Sequence, residues 1–398
     1  MRAIPVQKCP ASIWRGGFYR EVETEMREQR HRRAAARILA LCLCAGMALA
    51  AFAGCGKKDD KKTAKSQSSS APAKTMYINP LTGTETEDSY VTQNRPVAVM
   101  INNIKAALPQ YGIGSADILY EVVAEGGITR MLALYTDYRA VPKIGSVRSA
   151  RPYYIALAQG HGATLIHYGT SWQADDLLYE NGIETVDGMA LSETAFFFDE
   201  ERWESGYNRE HCSFTGSDYI TAGLQAKDIS LAGTPRTAFH FYGAKENVSP
   251  FSYGKAAEVT FSFSGYADDR LVYDTQTDTY QKYEYGQPQV DQASGATLAF
   301  TNAFLLFDNI YVISDEGHMG CDLEAGTGYY FTGGAYKPIS WKKGGLDDAL
   351  TLYEEDGSEL KVRPGQSYIA IVGENMRDAL QVTPGQQAQG DTSSTSQQ

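Results

Sequence analysis

Ile118-Leu-Tyr-Glu-Val-Val-Ala-Glu125, Gly126-Gly127 and Ile128-Thr-Arg-Met-Leu-Ala-Leu-Tyr135 follow one another without a break. Two apolar, β-branched runs separated by a Gly-Gly pair predict an antiparallel hairpin closed by a two-residue turn. In that register Glu125 faces Ile128, Val123 faces Arg130 and Glu121 faces Leu132. Strand alternation then gives Ile118, Tyr120, Val122, Ala124, Met131, Ala133 and Tyr135 a core face. The other face sets Arg130 diagonally between Glu121 and Glu125. That arrangement reads either as a salt-bridge lattice on a solvated surface or as the floor of a polar site.

Working outward, Pro96-Val-Ala-Val-Met-Ile-Asn102 reads as a buried strand. After the hairpin, Gly145-Ser-Val-Arg-Ser-Ala-Arg-Pro152 leads into a helix, with Pro152 suited to its first turn, Ser149 as a candidate cap and Gly160 as its end. Arg148 and Arg151 beside a helix N-terminus make a candidate anion site, because guanidinium charge and free N–H groups point the same way. Their alternative is to pair with Glu121 and Glu125. Ala163–Tyr168 then reads as a strand and Trp172–Glu180 as a helix, capped by Ser171 and stopped by Gly182. His167 falls at the strand's C-terminal end, where α/β sites gather. Ser171, His167 or His211, and Asp187 could be imagined as a hydrolytic triad. Gly169-Thr-Ser-Trp-Gln173 lacks the second glycine of a nucleophile elbow, which argues against it.

From Phe239 the pattern changes. Short β-like runs at 259–264, 270–274, 279–285, 297–307, 310–314, 329–332, 349–353 and 368–372 are punctuated by Gly, Asp and Pro. An α+β protein is expected: an α/β domain over 80–230, then a β-rich, sandwich or barrel-like domain over 239–375, with the boundary in Asp228–Arg236. Trp341 between Ser340 and Lys342 could stack on a sugar or sit half-buried in a strand. The 26 tyrosines lean mildly toward glycan contact. Asp315-Glu-Gly-His318 fits no calcium-loop spacing and reads as a solvated turn.

The first residues give an address. Arg27, Arg30, Arg32, Arg33 and Arg37 precede an apolar run, Ile38–Ala53, too short for a membrane span, and Ala53-Gly54-Cys55 follows. That is a lipobox arrangement. Residues 1–54 are therefore expected to be a signal peptide translated from Met26, with Cys55 lipidated, 55–79 a tether and 386–398 a disordered tail. The expected location is the outer face of the cytoplasmic membrane, held through the lipid.

The 398 residues carry 48 Asp+Glu against 36 Lys+Arg, a net charge of −12, so nucleic acid is excluded as a partner on charge. Six Cys and six His show no zinc spacing and no CxxC pair, so neither metal nor cofactor is expected. Cys212 and Cys321 leave a disulfide or two free thiols open.

Asn79-Pro-Leu-Thr-Gly83, Arg95-Pro-Val-Ala-Val-Met-Ile-Asn-Asn103, Ala116-Asp-Ile-Leu-Tyr-Glu121, Glu125-Gly-Gly-Ile-Thr-Arg130 and Val147-Arg-Ser-Ala-Arg-Pro152 together resemble the YerB-like lipoproteins of Gram-positive bacteria. The likeness runs from Asn79 to about Val372 and implies a two-part domain, with no activity attached. The family's later His-Asn pair stands here as His211-Cys212. The resulting expectation is a lipid-anchored protein that binds an anionic envelope ligand, a glycan or phosphate group. Its candidate site residues are Arg148, Arg151, Glu121, Glu125, Arg130, His167 and His211. Two alternatives remain: an enzyme on envelope polymers, using His167, His211 and Asp187 or Glu125 as acid and base, and a scaffold for an envelope protein complex.

Overall fold

The computed structural model describes residues 74–385 apart from 237, 244–245, 247–250 and 252. The signal peptide, Met26, Cys55, most of the tether and the 386–398 tail lie outside the described residues. In chain order the principal strands are β1 (Val97–Asn102), β2 (Ile118–Val123), β3 (Thr129–Tyr135), β4 (Thr164–His167), β5 (Val186–Asp187), β6 (Gly254–Lys255), β7 (Glu258–Ser262) and β8 (Asp268–Asp274). They continue as β9 (Thr279–Glu284), β10 (Asn302–Asp308), β11 (Ala325–Thr332), β12 (Ala335–Lys342), β13 (Thr351–Tyr353), β14 (Ser367–Gly373) and β15 (Gln381–Thr383). The principal helices are α1 (Pro152–Gly160), α2 (Trp172–Glu180) and α3 (Ser217–Ala226).

Eleven of the strands make one sheet in the order β6-β12-β11-β10-β14-β2-β3-β1-β4-β5, with β13 alongside β12. The last long strand, β14, enters its middle. It runs parallel to β10 on one side (Phe304↔Ile369) and to β2 on the other (Ile369↔Tyr120). The sheet thus passes from the helix-containing first part into the strand-rich second part. Central strands closed in on both faces must be apolar along their whole length, and β1, β2, β3, β10 and β14 are buried at every position. A fully buried large apolar side chain contributes about 1.5–3 kcal/mol over an exposed one.

Two different layers cover the faces. Helix α1 lies on the side bearing Tyr120, Val122 and Arg130: the Tyr154 hydroxyl donates to the Arg130 carbonyl at 2.6 Å, and Tyr120 meets His161 Nε2 at 2.8 Å. On the side bearing Leu119 and Glu121 lies the second sheet, β9-β8-β7-β15 with two short flanking strands. A solvated lattice was one of the two readings of the hairpin's polar face, and neither face is solvated.

The hairpin register also differs from the expected one. Val122 faces Arg130, Val123 faces Thr129 and Glu121 faces Met131. The turn is wider than two residues because Glu125–Gly127 forms a 3₁₀ turn, Gly126 and Gly127 take φ of 70° and 76°, and Ala124 N–H bonds the Ile128 carbonyl at 2.7 Å. A one-residue slip moves a whole set of side chains to the other face. Glu121 and Arg130 therefore stand on opposite sides of the sheet.

Elsewhere the local signals hold. Pro152 opens α1, and the Ser171 hydroxyl caps α2 by accepting from Ala174 N–H. Ser149 is no cap: its hydroxyl donates to the Tyr168 carbonyl. Trp341 is 2% exposed, so it belongs to the core and cannot stack on a sugar. Cys212 and Cys321 are both free thiols.

Candidate functional site

The segment from Gly145 to Arg151 is stitched across the C-terminal ends of the parallel strands. Arg148 N–H bonds the Met100 carbonyl of β1 at 3.1 Å, Tyr168 N–H bonds the Arg148 carbonyl at 3.1 Å, and Ala150 N–H bonds the Gly169 carbonyl at 3.0 Å. Val147 N–H bonds Ser213 across the other side at 2.8 Å. These backbone donors are spent on the fold, so anion recognition here falls to side chains.

Glu125 projects from the hairpin turn between two arginines. Arg130 approaches it at 3.2 Å, and Arg151 grips it with two nitrogens, Nη2 at 2.9 Å and Nε closer still. Arg130 also donates to the Ser149 carbonyl and Arg151 to that of Ala150. The fork geometry of guanidinium and carboxylate makes this a strong, oriented contact. Burial opposes ionisation of Glu125, but the Arg151 hydrogen bond and both guanidinium charges outweigh it and hold the carboxyl below its ordinary range. Burial, with the Arg151 charge, pulls Arg130 down to about 10, which leaves it charged at neutral pH.

Arg148 is different. Its side chain is 25% exposed, and it meets Glu210, itself about half exposed, at 3.4 Å. Its charge is felt by Arg130 and by His211. His211 Nδ1 accepts from the Asn102 amide at 3.0 Å, so its proton sits on Nε2, 3.7 Å from Glu210. Burial, despite Glu210, lowers the affinity of His211 for a second proton. Glu125, Arg130, Arg151, Arg148 and His211 thus form one chain of neighbours at the ends of β1 and β4.

The two other candidate residues lie apart. Glu121 is on the far face of the sheet. His167 is buried, with Nδ1 on the Gly169 carbonyl and Nε2 on the Thr185 hydroxyl, both at 2.8 Å. Asp187 accepts from the N–H groups of Gly169 and Met189, and Ser171 is occupied as a cap. No serine–histidine relay forms among the three.

Two features escaped sequence reading. The first is a cleft of about 490 Å³ between Tyr111, Phe197, Phe198 and Tyr207, with Lys143, Asp199 and Arg202 at its walls. Lys143 pairs with Asp199 at 2.5 Å and lies 3.9 Å over the Tyr111 ring. Arg202 stacks on Tyr207 and donates to the carbonyls of His211, Pro109 and Ala107, a buried cation held by carbonyls. His211 is common ground: its carbonyl serves the cleft while its ring faces the Arg148 side. The second is a set of three buried carboxyls, Glu121, Asp269 and Glu284, whose oxygens lie within 4.8 Å of one another. Such a group can hold a cation, and Lys282 supplies one from within.

Comparison with known proteins agrees with this layout. The N-terminal part of "Protein of unknown function (DUF3048)" matches residues 81–230, and its C-terminal part matches 257–369. "Putative lipoprotein YerB" of Bacillus subtilis is 30% identical over 313 residues, covering 77% of this chain and 89% of that protein. The chain belongs to the YerB family. The crystal structure of YerB from Bacillus subtilis superposes with a TM-score of 0.67 at 28% identity, over 77% of this chain and 99% of that one. The YerB family's two-part division brackets the observed change from α/β to strand-rich structure, and β14 closes the sheet across it.

Proposed function

We propose that this YerB relative is a membrane-tethered receptor that captures an anionic envelope ligand, a phosphate- or uronate-bearing glycan, at Arg148. The observation that carries the reading is the inequality of the three arginines. Arg130 and Arg151 are engaged by Glu125 and by carbonyls, whereas Arg148 is part-exposed and spans a long 3.4 Å contact to Glu210, a glutamate about half exposed. Three guanidinium groups facing Glu125 and Glu210 leave an excess of positive charge on a molecule whose net charge is −12. A phosphate or carboxylate displacing Glu210 gains that excess, and a bidentate Arg contact gives it orientation. The adjoining aromatic cleft offers flat, amphipathic surface to sugar rings. Tethering through Cys55 fits the lipoprotein name of the relative, and no described helix is long and apolar enough to cross a membrane.

Titration calorimetry of the chain with a glycerol-phosphate polymer, a uronic glycan and neutral chitin oligosaccharides tests this. The two anions should bind, more weakly at physiological than at low salt because Arg148 is part-exposed, and the neutral sugar should not. Arg148→Ala should weaken binding about tenfold or more with melting unchanged within about 0.5 kcal/mol. Glu125→Gln should instead cost about 3–5 kcal/mol of stability, since it leaves two buried guanidinium groups without their carboxylate. An Arg148→Ala protein that binds like wild type would overturn the assignment.

A further inference from the structure

On the face that the second sheet turns to the central one, a lysine amine sits within a ring of carboxyls. Tyr280, Lys282 and Glu284 of β9 point inward, and Asp269 of β8 stands opposite Glu284. Lys282 Nζ lies 2.6 Å from Asp269 Oδ2, 3.0 Å from Glu121 Oε2 and 3.7 Å from Glu284 Oε2, and none of these side chains is more than 1% exposed. The Tyr368 hydroxyl is 2.8 Å from both Glu121 Oε2 and Asp269 Oδ2, with its ring 5.2 Å from Nζ. Lys282 Nζ has no well-formed hydrogen bond, and Asp269 Oδ1 and Glu284 Oε2 accept no hydrogen bond. A buried ion pair kept for stability needs its remaining donors and acceptors satisfied, and this one leaves them open.

We propose that Lys282 and Asp269 become joined by an intramolecular isopeptide bond between Lys282 Nζ and Asp269 Cγ. Moving one proton from the ammonium to Asp269 turns the pair into an amine and a carboxylic acid with no change in net charge. The amine lone pair then forms the N–C bond at Cγ. Glu121 Oε2, within reach of Nζ, takes a proton from the attacking nitrogen and delivers it to the departing oxygen, the C–O bond breaks, and one water leaves. Amine plus acid gives amide plus water, with no oxidant or cofactor required.

Asp269 is the acceptor on three grounds. It is the nearest carboxyl, its Oδ1 is free to become the amide carbonyl, and burial together with the Glu121 charge raises its pKa to about 7. Glu121 is fixed by Asn103 and Thr129 on its other oxygen, which suits a proton carrier. Burial by itself favours the free amine of Lys282, but the carboxylates around it more than reverse this and lift its proton affinity. The reactive neutral pair is therefore the minor form, and the bond accumulates slowly and once only.

Peptide mapping of the full chain by mass spectrometry, after denaturation and trypsin digestion, reads the outcome. The peptide bearing Lys282 should appear joined to the one bearing Asp269, lighter than their sum by one water, with no cleavage after Lys282. Asp269→Asn should form the same link with loss of one ammonia. Glu121→Gln keeps both partners and should slow linkage by about a hundredfold. Separate, unmodified peptides from the wild-type chain would overturn the proposal, as would a link to Glu121 or Glu284. Linkage at the wild-type rate in Glu121→Gln would remove Glu121 from the reaction.

Discussion

His161 shows how much a single buried group can decide. It follows α1, is 1% exposed, holds the Tyr120 hydroxyl through Nε2, and has no partner for Nδ1. Burial, and secondarily the charge of Lys343, lowers its pKa to about 4. The folded protein thus takes up this proton less readily than the unfolded chain, whose histidines titrate near ~6.5. Stability is complete above that value and is lost as pH falls toward the folded value. Between pH 7.5 and 5 the expected loss from this residue is about 2 kcal/mol. Chemical denaturation of wild type and His161→Gln at both pH values checks it. The variant should lose about 2 kcal/mol less on acidification; equal losses would show that His161 is not the titrating group. The lattice at the other end of α1 teaches the complementary lesson. Sequence reading found Glu125, Arg130 and Arg151 but placed Arg130 between two glutamates, whereas Glu125 lies between two arginines.

At the level of elements, strand and helix positions were legible and register was not. Apolar runs and punctuating Gly, Pro and Ser located β1, β2, β3, α1 and α2 within a residue or two. The hairpin register depended on turn geometry, and Gly-Gly does not say whether the turn holds two residues or more. In β9, Thr-Tyr-Gln-Lys-Tyr-Glu alternates without an apolar face, so the inward set Tyr280, Lys282 and Glu284 could not be recognised until Glu121 and Asp269 were seen opposite. Strand β12 was legible only at Trp341, read as a strand tryptophan, because Pro338 and Lys337 dilute the pattern of the rest. The turn offers a direct test. Both Gly126 and Gly127 have positive φ, but a Cβ on Gly126 meets nothing, while one on Gly127 comes within 3.0–3.1 Å of Tyr266 and Ser264. The Ser264 hydroxyl also donates to the Gly127 carbonyl at 2.5 Å. Gly126→Ala should cost about 1–2 kcal/mol for its backbone alone, and Gly127→Ala measurably more in the same urea titration. The reverse order would mean that the Ser264 and Tyr266 contact yields freely.

For the whole molecule, the decisive feature is that β14 pairs with β2. The two family-defined parts carry their own local structure, but the first lacks the neighbour of its β2 edge and the partner of Glu121 until the second arrives. Residues 74–236 expressed alone should aggregate, because an open, apolar edge invites pairing with other chains. Co-expression with residues 236–385 should restore a soluble complex that purifies together. A soluble first fragment that melts cooperatively by itself would count against this dependence. The same position of β14 sets a clock. When residues 74–385 are produced in the cytoplasm without the leader, a ribosome adds about 5–20 residues per second, so β2 waits roughly 10–50 seconds between its own synthesis and that of the strand that completes it. Throughout that interval its edge is available to any extended segment nearby. Protein quality during production should therefore respond to translation speed downstream of β2, with slow stretches in the second half lengthening the exposure and fast ones shortening it.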